Sequence, residues 1–247
     1  MAPFEGFHQS IFDSCEASSK INNAREALEE LRIEIEPKIK KLNPKLNGKI
    51  SEAKQRSQGT VVWTDWAWLM FTMAPLGGKK SSRPGTPIGA SNLTQLTVNL
   101  SRERVYTGLC LRKNSDKNRL QEKLRETENK MLYEEIVNSL SGRRWIICNQ
   151  KEGFSSKSAR FYSAEDLRGK LLDPKLYWIN ASFSRDENIV SESRIAKEIF
   201  NVFKELYNLY ALATNTTLIV QPRARVLSMK WKLEHSSLTR RREWNWI

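Results

Sequence analysis

The stretch Leu93–Lys113, LTQLTVNLSRERVYTGLCLRK, carries the pattern of a β-hairpin. Apolar and polar residues alternate from Leu93 to Leu100, the polar run Ser101–Arg104 supplies a turn, and a second β-rich run follows. A turn this short joins antiparallel strands. The stretch therefore predicts two neighbouring antiparallel strands.

Another strand is predicted before this hairpin. Thr60–Met73 (TVVWTDWAWLMFTM) is rich in β-branched and aromatic residues, and both of its alternating faces are largely apolar. Such a strand is typical of the interior of a sheet. The segment 74–91 that follows is rich in Gly, Pro and Ser and carries Lys79, Lys80 and Arg83, which predicts a long loop.

Helices are predicted on both sides of this β-rich part. Ile21–Leu42 places apolar residues at intervals of three and four, and Pro37 predicts a kink or a new start inside it. A weaker pattern predicts a short helix over Lys49–Arg56. Asn118–Leu140 and the run from Ser191 or Ser193 to Ala213 also have helical spacing. Further strands are predicted at Trp145–Gln150, Ala159–Tyr162, Lys175–Phe183, Thr217–Val220 and Val226–Leu233.

The order of these elements favours a single α+β domain over residues 1–247. In it, a mostly antiparallel sheet is flanked by N-terminal helices and by a long helix in the C-terminal half. The strict alternation of strand and helix that marks parallel sheets is missing. Within the domain we expect a helical part over 1–58, a sheet with inserted helices over 59–236, and a basic aromatic tail over 237–247.

The segment Ile33–Leu46 (IEIEPKIKKLNPKL), followed by the tryptophan-bearing strand, the hairpin and a charged helix, resembles the YktB-like family of uncharacterised prokaryotic proteins. The likeness lies in the order of elements and covers residues 7–213. It implies N-terminal helices with a proline–lysine–hydrophobic segment, a curved antiparallel sheet and a helix packed near the C-terminus. The chain departs from the family in lacking a histidine- and arginine-rich stretch after the first helices. The resemblance implies a fold and no activity.

The composition argues against several classes of protein. No apolar run approaches the roughly 20 residues that span a bilayer, and the N-terminus MAPFEGFHQS lacks the features of a secretory signal. Three cysteines, Cys15, Cys110 and Cys148, show no CxxC spacing, which implies neither a disulfide framework nor a zinc site. We therefore expect a cytoplasmic protein without a transmembrane segment, a metal site or a cofactor.

No catalytic signature is found in the sequence, so the catalytic residues are unknown and a protein without catalysis is favoured. The run Gly77–Ser81 (GGKKS) has Met73 where a phosphate-binding loop needs its first glycine. An alternative is a Mg²⁺-dependent nuclease that uses Asp65 with Glu103 or with Asp186 and Glu187, since carboxylates hold that ion. Internal pairing of Asp65 with an arginine or with backbone is the competing interpretation.

Charge is the strongest functional signal. The chain has 41 Lys and Arg against 28 Asp and Glu, a formal net charge of +13. Several runs place basic residues beside aromatic ones, and such runs neutralise phosphates and stack on bases. The candidate nucleic-acid-binding residues are Lys79, Lys80, Arg83, Arg143, Arg144, Arg223, Arg225, Lys230, Lys232, Arg240, Arg241 and Arg242.

The sequence thus predicts a protein that binds DNA or RNA, chiefly through phosphate contacts. We expect it to act as an accessory subunit of a larger nucleoprotein complex, such as an antiviral defence complex. The alternatives are the nuclease and a protein-interaction module whose basic face meets an acidic partner subunit. Acidic residues are concentrated in the predicted helices around 26–36 and 122–135, where pairing with Lys and Arg within the helix is available.

Overall fold

Seven strands form one antiparallel sheet in the computed structural model, which describes residues 4–15, 21–51, 54–57, 60–63, 67–73, 93–126, 130–140, 142–148, 159–161 and 164–219. In chain order the elements are α1 (Gln9–Ser14), α2 (Ile21–Leu42), β1 (Asn47–Ser51), β2 (Lys54–Ser57), β3 (Thr60–Trp63), β4 (Ala67–Thr72), β5 (Gln95–Leu100), β6 (Arg104–Cys110), α3 (Asn114–Arg125), α4 (Lys130–Leu140), β7 (Trp145–Cys148), β8 (Ala159–Phe161), α5 (Ala164–Leu171), β9 (Trp178–Ser184) and α6 (Arg194–Thr214).

The sheet has the strand order β1-β4-β5-β6-β9-β7-β8, and every neighbouring pair is antiparallel. Strands β2 and β3 form a separate antiparallel pair. The predicted α+β class, with N-terminal helices, a mostly antiparallel sheet and a long helix in the C-terminal half, is confirmed. The predicted hairpin is β5 and β6, and the predicted long helix is α6.

One face of the sheet is apolar and carries the two long helices. Leu96 and Val98 of β5 are fully buried on this face, and both α2 and α6 pack against the sheet. The rings of Phe71 on β4 and Phe203 on α6 meet edge to face at 5.9 Å. Burial of these side chains fixes the helices in place because apolar area removed from water is the main stabilising term in folding.

The opposite face carries amides and hydroxyls, and we call it the polar face. In an antiparallel sheet, directly paired residues point to the same side. Thr97 pairs with Gly108, and Gly108 with Asn180, while Trp68 pairs with Asn99. The polar face therefore consists of Gln95, Thr97, Asn99 and Asn180, each 0% exposed, with large aromatic residues beside them.

The predicted short helix over Lys49–Arg56 is wrong, because residues 47–51 form strand β1 and residues 54–57 form β2. Strand β1 pairs with β4 along its whole length, and a Cβ at Gly48 would lie 2.7 Å from the Phe71 ring. Pairing with β4 thus outweighs the local helical pattern. The first helical part consequently ends at Leu42, well before the predicted boundary at residue 58.

Two long predicted elements are each divided into two. The predicted strand Thr60–Met73 contains β3 and β4, and the predicted helix Asn118–Leu140 contains α3 and α4. Strand β4 lies inside the sheet, between β1 and β5, as its apolar faces predict. Pro37 lies within α2, which runs from Ile21 to Leu42 as one helix.

Residues Met1–Thr216 form one compact unit and Thr217–Ile247 a second. Residues 217–219, the described part of the second unit, are irregular. The predicted strand Val226–Leu233 and the tail 237–247 lie outside the described residues. Within the described ranges, no helix is both long and apolar enough to cross a membrane.

Candidate functional site

Several chain connections attach at one end of the sheet. There β4, β6 and β7 finish while β1, β5, β8 and β9 begin, because Thr72 pairs with Asn47 and Trp178 pairs with both Cys110 and Cys148. The connections that meet at this end join α2 to β1, β4 to β5, β6 to α3, β7 to β8 and α5 to β9.

The two long helices finish at the same end. Met73, which follows β4, has its backbone beside the phenol of Tyr210, close to the end of α6. The Asn43 amide donates to the Met73 sulfur at 3.6 Å, directly after α2. The left-handed residue Asn215, with a φ of 56°, then ends α6. The last residue of the first unit, Thr216, is therefore also at this end.

Exposed lysines are concentrated here. Lys41 lies in the last turn of α2, Lys45 lies between α2 and β1, and Lys175 precedes β9. All three are exposed, and none has a carboxylate partner within the described residues. Lys113, before α3, is also exposed and lies 4.0 Å from Asp116. We call this the basic end of the sheet.

The connections that attach at the basic end are poor in acid. Segment 74–92, which leaves β4 and returns to β5, contains Lys79, Lys80 and Arg83 and no Asp or Glu. Segment 149–158, between β7 and β8, contains two lysines and one glutamate. Both segments lie outside the described residues.

The opposite end of the sheet carries mixed charge. The turn between β5 and β6 contains Arg102 and Glu103, and the turn after β9 contains Arg185, Asp186 and Glu187. The Arg185 amide donates to the Glu103 carbonyl at 2.9 Å, so the two turns are in contact. Basic and acidic side chains thus offset each other at this end.

Three of the carboxylates proposed for a nuclease lie at this opposite end. Asp186 is largely exposed, 3.8 Å from Arg185, and Glu187 accepts a hydrogen bond from the Ser184 amide at 2.7 Å. Asp65 lies outside the described residues. The described ranges contain no group of three His, Cys, Asp or Glu side chains that could hold a metal ion.

Arg143, a candidate phosphate contact, is bound within the chain near the start of β7. Its Nε and Nη2 atoms donate to the two carboxylate oxygens of Glu205 at 3.0 Å, and Nη2 lies 3.4 Å from Glu198. Partial burial opposes its charge, but the hydrogen bonds to Glu205 and the charges of both glutamates outweigh it and raise the pKa of Arg143. The bidentate contact fastens the α4–β7 connection to α6.

The other two residues of the Arg143-Arg144-Trp145 run lie in different environments. Arg144 is exposed, whereas Trp145 is fully buried and donates from Nε1 to the Leu140 carbonyl at 2.6 Å. This tryptophan is therefore a core residue that also binds the end of α4. The other predicted nucleic-acid residues, Lys79, Lys80, Arg83, Arg223, Arg225, Lys230, Lys232, Arg240, Arg241 and Arg242, lie outside the described residues.

The lysines of the basic end were missed by sequence reasoning, although a signal for them exists. Residues 37–49, PKIKKLNPKLNGK, hold five lysines and no acid. The apolar spacing in the first part of this run predicts a buried helix face and does not point to the lysines. Within this run, Lys38 pairs with Glu34 at 2.6 Å and Lys40 with Glu36 at 3.1 Å, whereas the later lysines have no carboxylate partner among the residues that the structure describes.

An aromatic pair with an arginine lies over the polar face. The rings of Trp68 on β4 and Trp178 on β9 are 5.8 Å apart, edge to face. Their strands are separated by β5 and β6, about 14 Å at the usual strand spacing. The two rings therefore reach toward each other across the face. The Arg112 guanidinium lies 5.0 Å from the Trp68 ring and 5.8 Å from the Trp178 ring, within the range of cation–π attraction.

Within the part of the chain that the structure describes, several buried polar atoms of this face have no hydrogen-bond partner. They are Nε1 of Trp68, Oδ1 of Asn99, and both Nδ2 and Oδ1 of Asn180. Asn99 uses its other amide atom to donate to Thr97 at 3.3 Å. Each unpaired buried group costs about 1–3 kcal/mol. The Asn180 amide, whose Nδ2 and Oδ1 are both unpaired, therefore lowers the stability of the folded chain.

Alkaline pH is expected to destabilise the protein through Cys110. Burial raises the pKa of this thiol to about 12. The unfolded thiol has a pKa of about 8.5, so folding favours the protonated form. This contribution is complete below the unfolded pKa and is lost as the pH rises toward the folded pKa. Urea unfolding at neutral and alkaline pH measures the decline. Cys110→Ala should make it shallower, and identical slopes in the two proteins would contradict this explanation.

Arg143→Met is expected to lower the free energy of unfolding by about 1–2 kcal/mol, because two glutamates lose a partly buried partner. Arg144→Met, which removes the same charge from an exposed position, should change it by less than about 0.5 kcal/mol. Urea unfolding of both variants checks the difference. Equal effects would show that the contacts with Glu198 and Glu205 do not stabilise the fold.

The described part of the chain thus offers two distinct chemical settings. The basic end presents ammonium groups to solvent, and the polar face holds buried amides on the same side of the sheet as Trp68 and Trp178. The first suits anions and the second suits a neutral molecule with donors and acceptors. No protein-family model and no curated protein matches this chain.

Proposed function

We propose that the chain is a nucleic-acid-binding protein that contacts phosphates through the basic end of its sheet. The observation that carries the proposal is the segregation of charge. Lysines without carboxylate partners and acid-poor connections attach at one end, whereas basic and acidic residues alternate at the other. As its biological setting we propose an accessory subunit of a larger nucleoprotein complex, such as a defence complex.

The spread of the basic end supports contacts with several phosphates. Lys45 precedes edge strand β1 and Lys175 precedes β9, which is four strand spacings away, or about 19 Å. Duplex DNA carries one negative charge per about 1.7 Å of axis, so a polyanion that lies from Lys45 to Lys175 places several phosphates between the two lysines. Lysine suits this role because its ammonium is a point charge that binds phosphate without a fixed orientation.

The segments outside the described residues also carry an excess of basic residues. Residues 217–247 contain seven Lys and Arg, among them Arg223, Arg225 and Arg240–Arg242, against Glu234 and Glu243. Segment 74–92 adds three basic residues without an acid. These residues are part of the proposal as phosphate contacts. Arg143 is left out because two glutamates already neutralise it.

Binding of labelled single- and double-stranded DNA and RNA, followed by fluorescence anisotropy against salt, tests the proposal. We expect affinity to fall steeply with salt. The triple variant Lys41→Gln, Lys45→Gln, Lys175→Gln should reduce the log–log salt slope by about 2–3 and weaken binding more than tenfold. The matched control Arg102→Gln, Arg185→Gln, Arg194→Gln removes three positive charges from the opposite end and should change the slope by less than about 1.

Two results would overturn the proposal. One is undetectable binding at low salt to all four nucleic acids. The other is an equal loss of affinity in the two triple variants, since that would reflect net charge rather than the basic end. Cleavage that requires Mg²⁺ and is lost in Asp65→Ala would support the nuclease alternative. A partner that co-purifies after nuclease treatment and is released by the Lys41, Lys45, Lys175 variant would support the protein-interaction alternative.

A further inference from the structure

The unpaired atoms of the polar face belong to β4, β5 and β9 and lie in two adjacent rows of the sheet. Trp68 on β4 pairs with Asn99 on β5, and Gly108 on β6 pairs with Asn180 on β9. A Cβ at Gly108 would lie 2.5 Å from Asn180 Oδ1, so the amide of Asn180 leans over the glycine toward β5. The row of Trp68 and Asn99 continues through Tyr106 to Ser182, so Asn180 lies in the next row, two residues along β9.

Native folds pair the large majority of their buried side-chain polar atoms, and exceptions call for an explanation. Here four such atoms lie on one face, in residues that are buried or nearly so. Asn99 and Asn180 are 0% exposed, whereas Trp68 and the Arg112 side chain beside its ring are half-buried. Trp68 and Arg112 are therefore the members of this face that reach solvent in part.

We propose that the polar face binds a nucleobase, with Asn180 as its hydrogen-bonding partner and the Trp68–Arg112–Trp178 group as a cover that closes on the base. A primary amide with a free donor and a free acceptor matches the paired donor and acceptor on a base edge. Asn99 Oδ1 adds an acceptor and Trp68 Nε1 adds a donor. Indole rings and a guanidinium stack on flat π-systems, which favours a base over an extended peptide with the same hydrogen-bonding groups.

This site does not depend on phosphate binding at the basic end. The base belongs either to a free nucleoside or nucleotide or to an unpaired position of a nucleic-acid strand. Nucleosides separate these sources because they carry the base without a phosphate. The probes are adenosine, guanosine, cytidine and uridine, and then homopolymer oligonucleotides of the same four bases.

The discriminating variant is Asn180→Leu, which keeps the number and branching of the side-chain heavy atoms and removes both unpaired atoms. We expect it to raise the midpoint of urea unfolding, because a buried unpaired amide is removed. We also expect it to weaken binding of the preferred base about tenfold. Trp68→Phe keeps a ring and removes Nε1, and should weaken the same base by a smaller factor. Thermal shift measures nucleoside binding, and anisotropy measures binding of oligonucleotides.

The results distinguish a free base, a base in a strand and failure of the proposal. Nucleoside binding that is lost in Asn180→Leu assigns the site to a free base. Oligonucleotide binding that loses base preference in Asn180→Leu, with no nucleoside binding, assigns it to a strand. A lower unfolding midpoint in Asn180→Leu, unchanged affinity in both assays, or binding of acetylated amino-acid amides instead of bases would overturn the proposal. Loss of oligonucleotide affinity in the lysine variant alone concerns the basic end and leaves this test unaffected.

Discussion

Gly108→Ala is expected to destabilise the protein by at least about 3 kcal/mol or to prevent folding. A Cβ at this position would lie 2.0 Å from the Ile179 carbonyl oxygen and 2.7 Å from Asn180 Cα. Both atoms belong to the backbone of β9, the strand next to β6, so a change of rotamer cannot relieve the collision. The two strands would have to separate at the middle of the sheet, where they are paired over seven residues.

Gly169→Ala is the matched control for this substitution. Gly169 lies in α5, where a Cβ would have no atom within 4 Å. Alanine is favoured over glycine in a helix, so this variant should be stabilised by up to about 1 kcal/mol. Circular dichroism and urea unfolding of both variants measure the contrast. Native-like stability of Gly108→Ala would mean that β6 and β9 are not in register as described.

Trp145→Ala is expected to lower the free energy of unfolding by about 3–5 kcal/mol. The side chain is 0% exposed, and its removal leaves a large cavity beneath the sheet. It also deletes the hydrogen bond from Nε1 to the Leu140 carbonyl, which fixes the end of α4. Urea unfolding measures the loss.

Trp145→Phe separates the two contributions. It keeps most of the ring volume and removes the N–H, so we expect a cost of about 1–2 kcal/mol. Nucleic-acid affinity of this folded variant should equal that of the unsubstituted chain, although Trp145 stands directly beside two arginines in the sequence. Weakened binding in Trp145→Phe, at unchanged secondary structure, would contradict a purely structural role for this residue.

Much of the fold could be predicted because its decisive signals are local. Alternating residues around a polar turn specify β5 and β6, and a continuous apolar stripe specifies α6. Strand β1 was missed because NGKIS contains a single β-branched residue, Ile50, and its extended form depends on pairing with β4. The division of the Asn118–Leu140 pattern into α3 and α4 was also missed, since its apolar spacing runs through both helices.

The candidate sites were harder to predict because they depend on distant pairings. The charge excess indicated a polyanion, but the sequence gives no sign that Lys45 and Lys175 flank the same end of one sheet. Asn99 and Asn180 resemble ordinary polar strand residues until the register places them on one buried face. For Arg143, the glutamates that bind it lie more than fifty residues further along the chain.

The position of β9 also has a consequence for synthesis on the ribosome. Strands β1, β4, β5 and β6 are neighbours early in the chain, and β7 and β8 form a later hairpin, but β9 is the strand that joins the two groups. Until residues 178–184 emerge, β6 has an open edge with unpaired amides and carbonyls, which is a template for wrong association. A nascent chain therefore passes through a stage in which β1, β4, β5 and β6 have been made and β9 has not. At this stage the edge of β6 is exposed to association with other chains, and we expect chaperones to bind here.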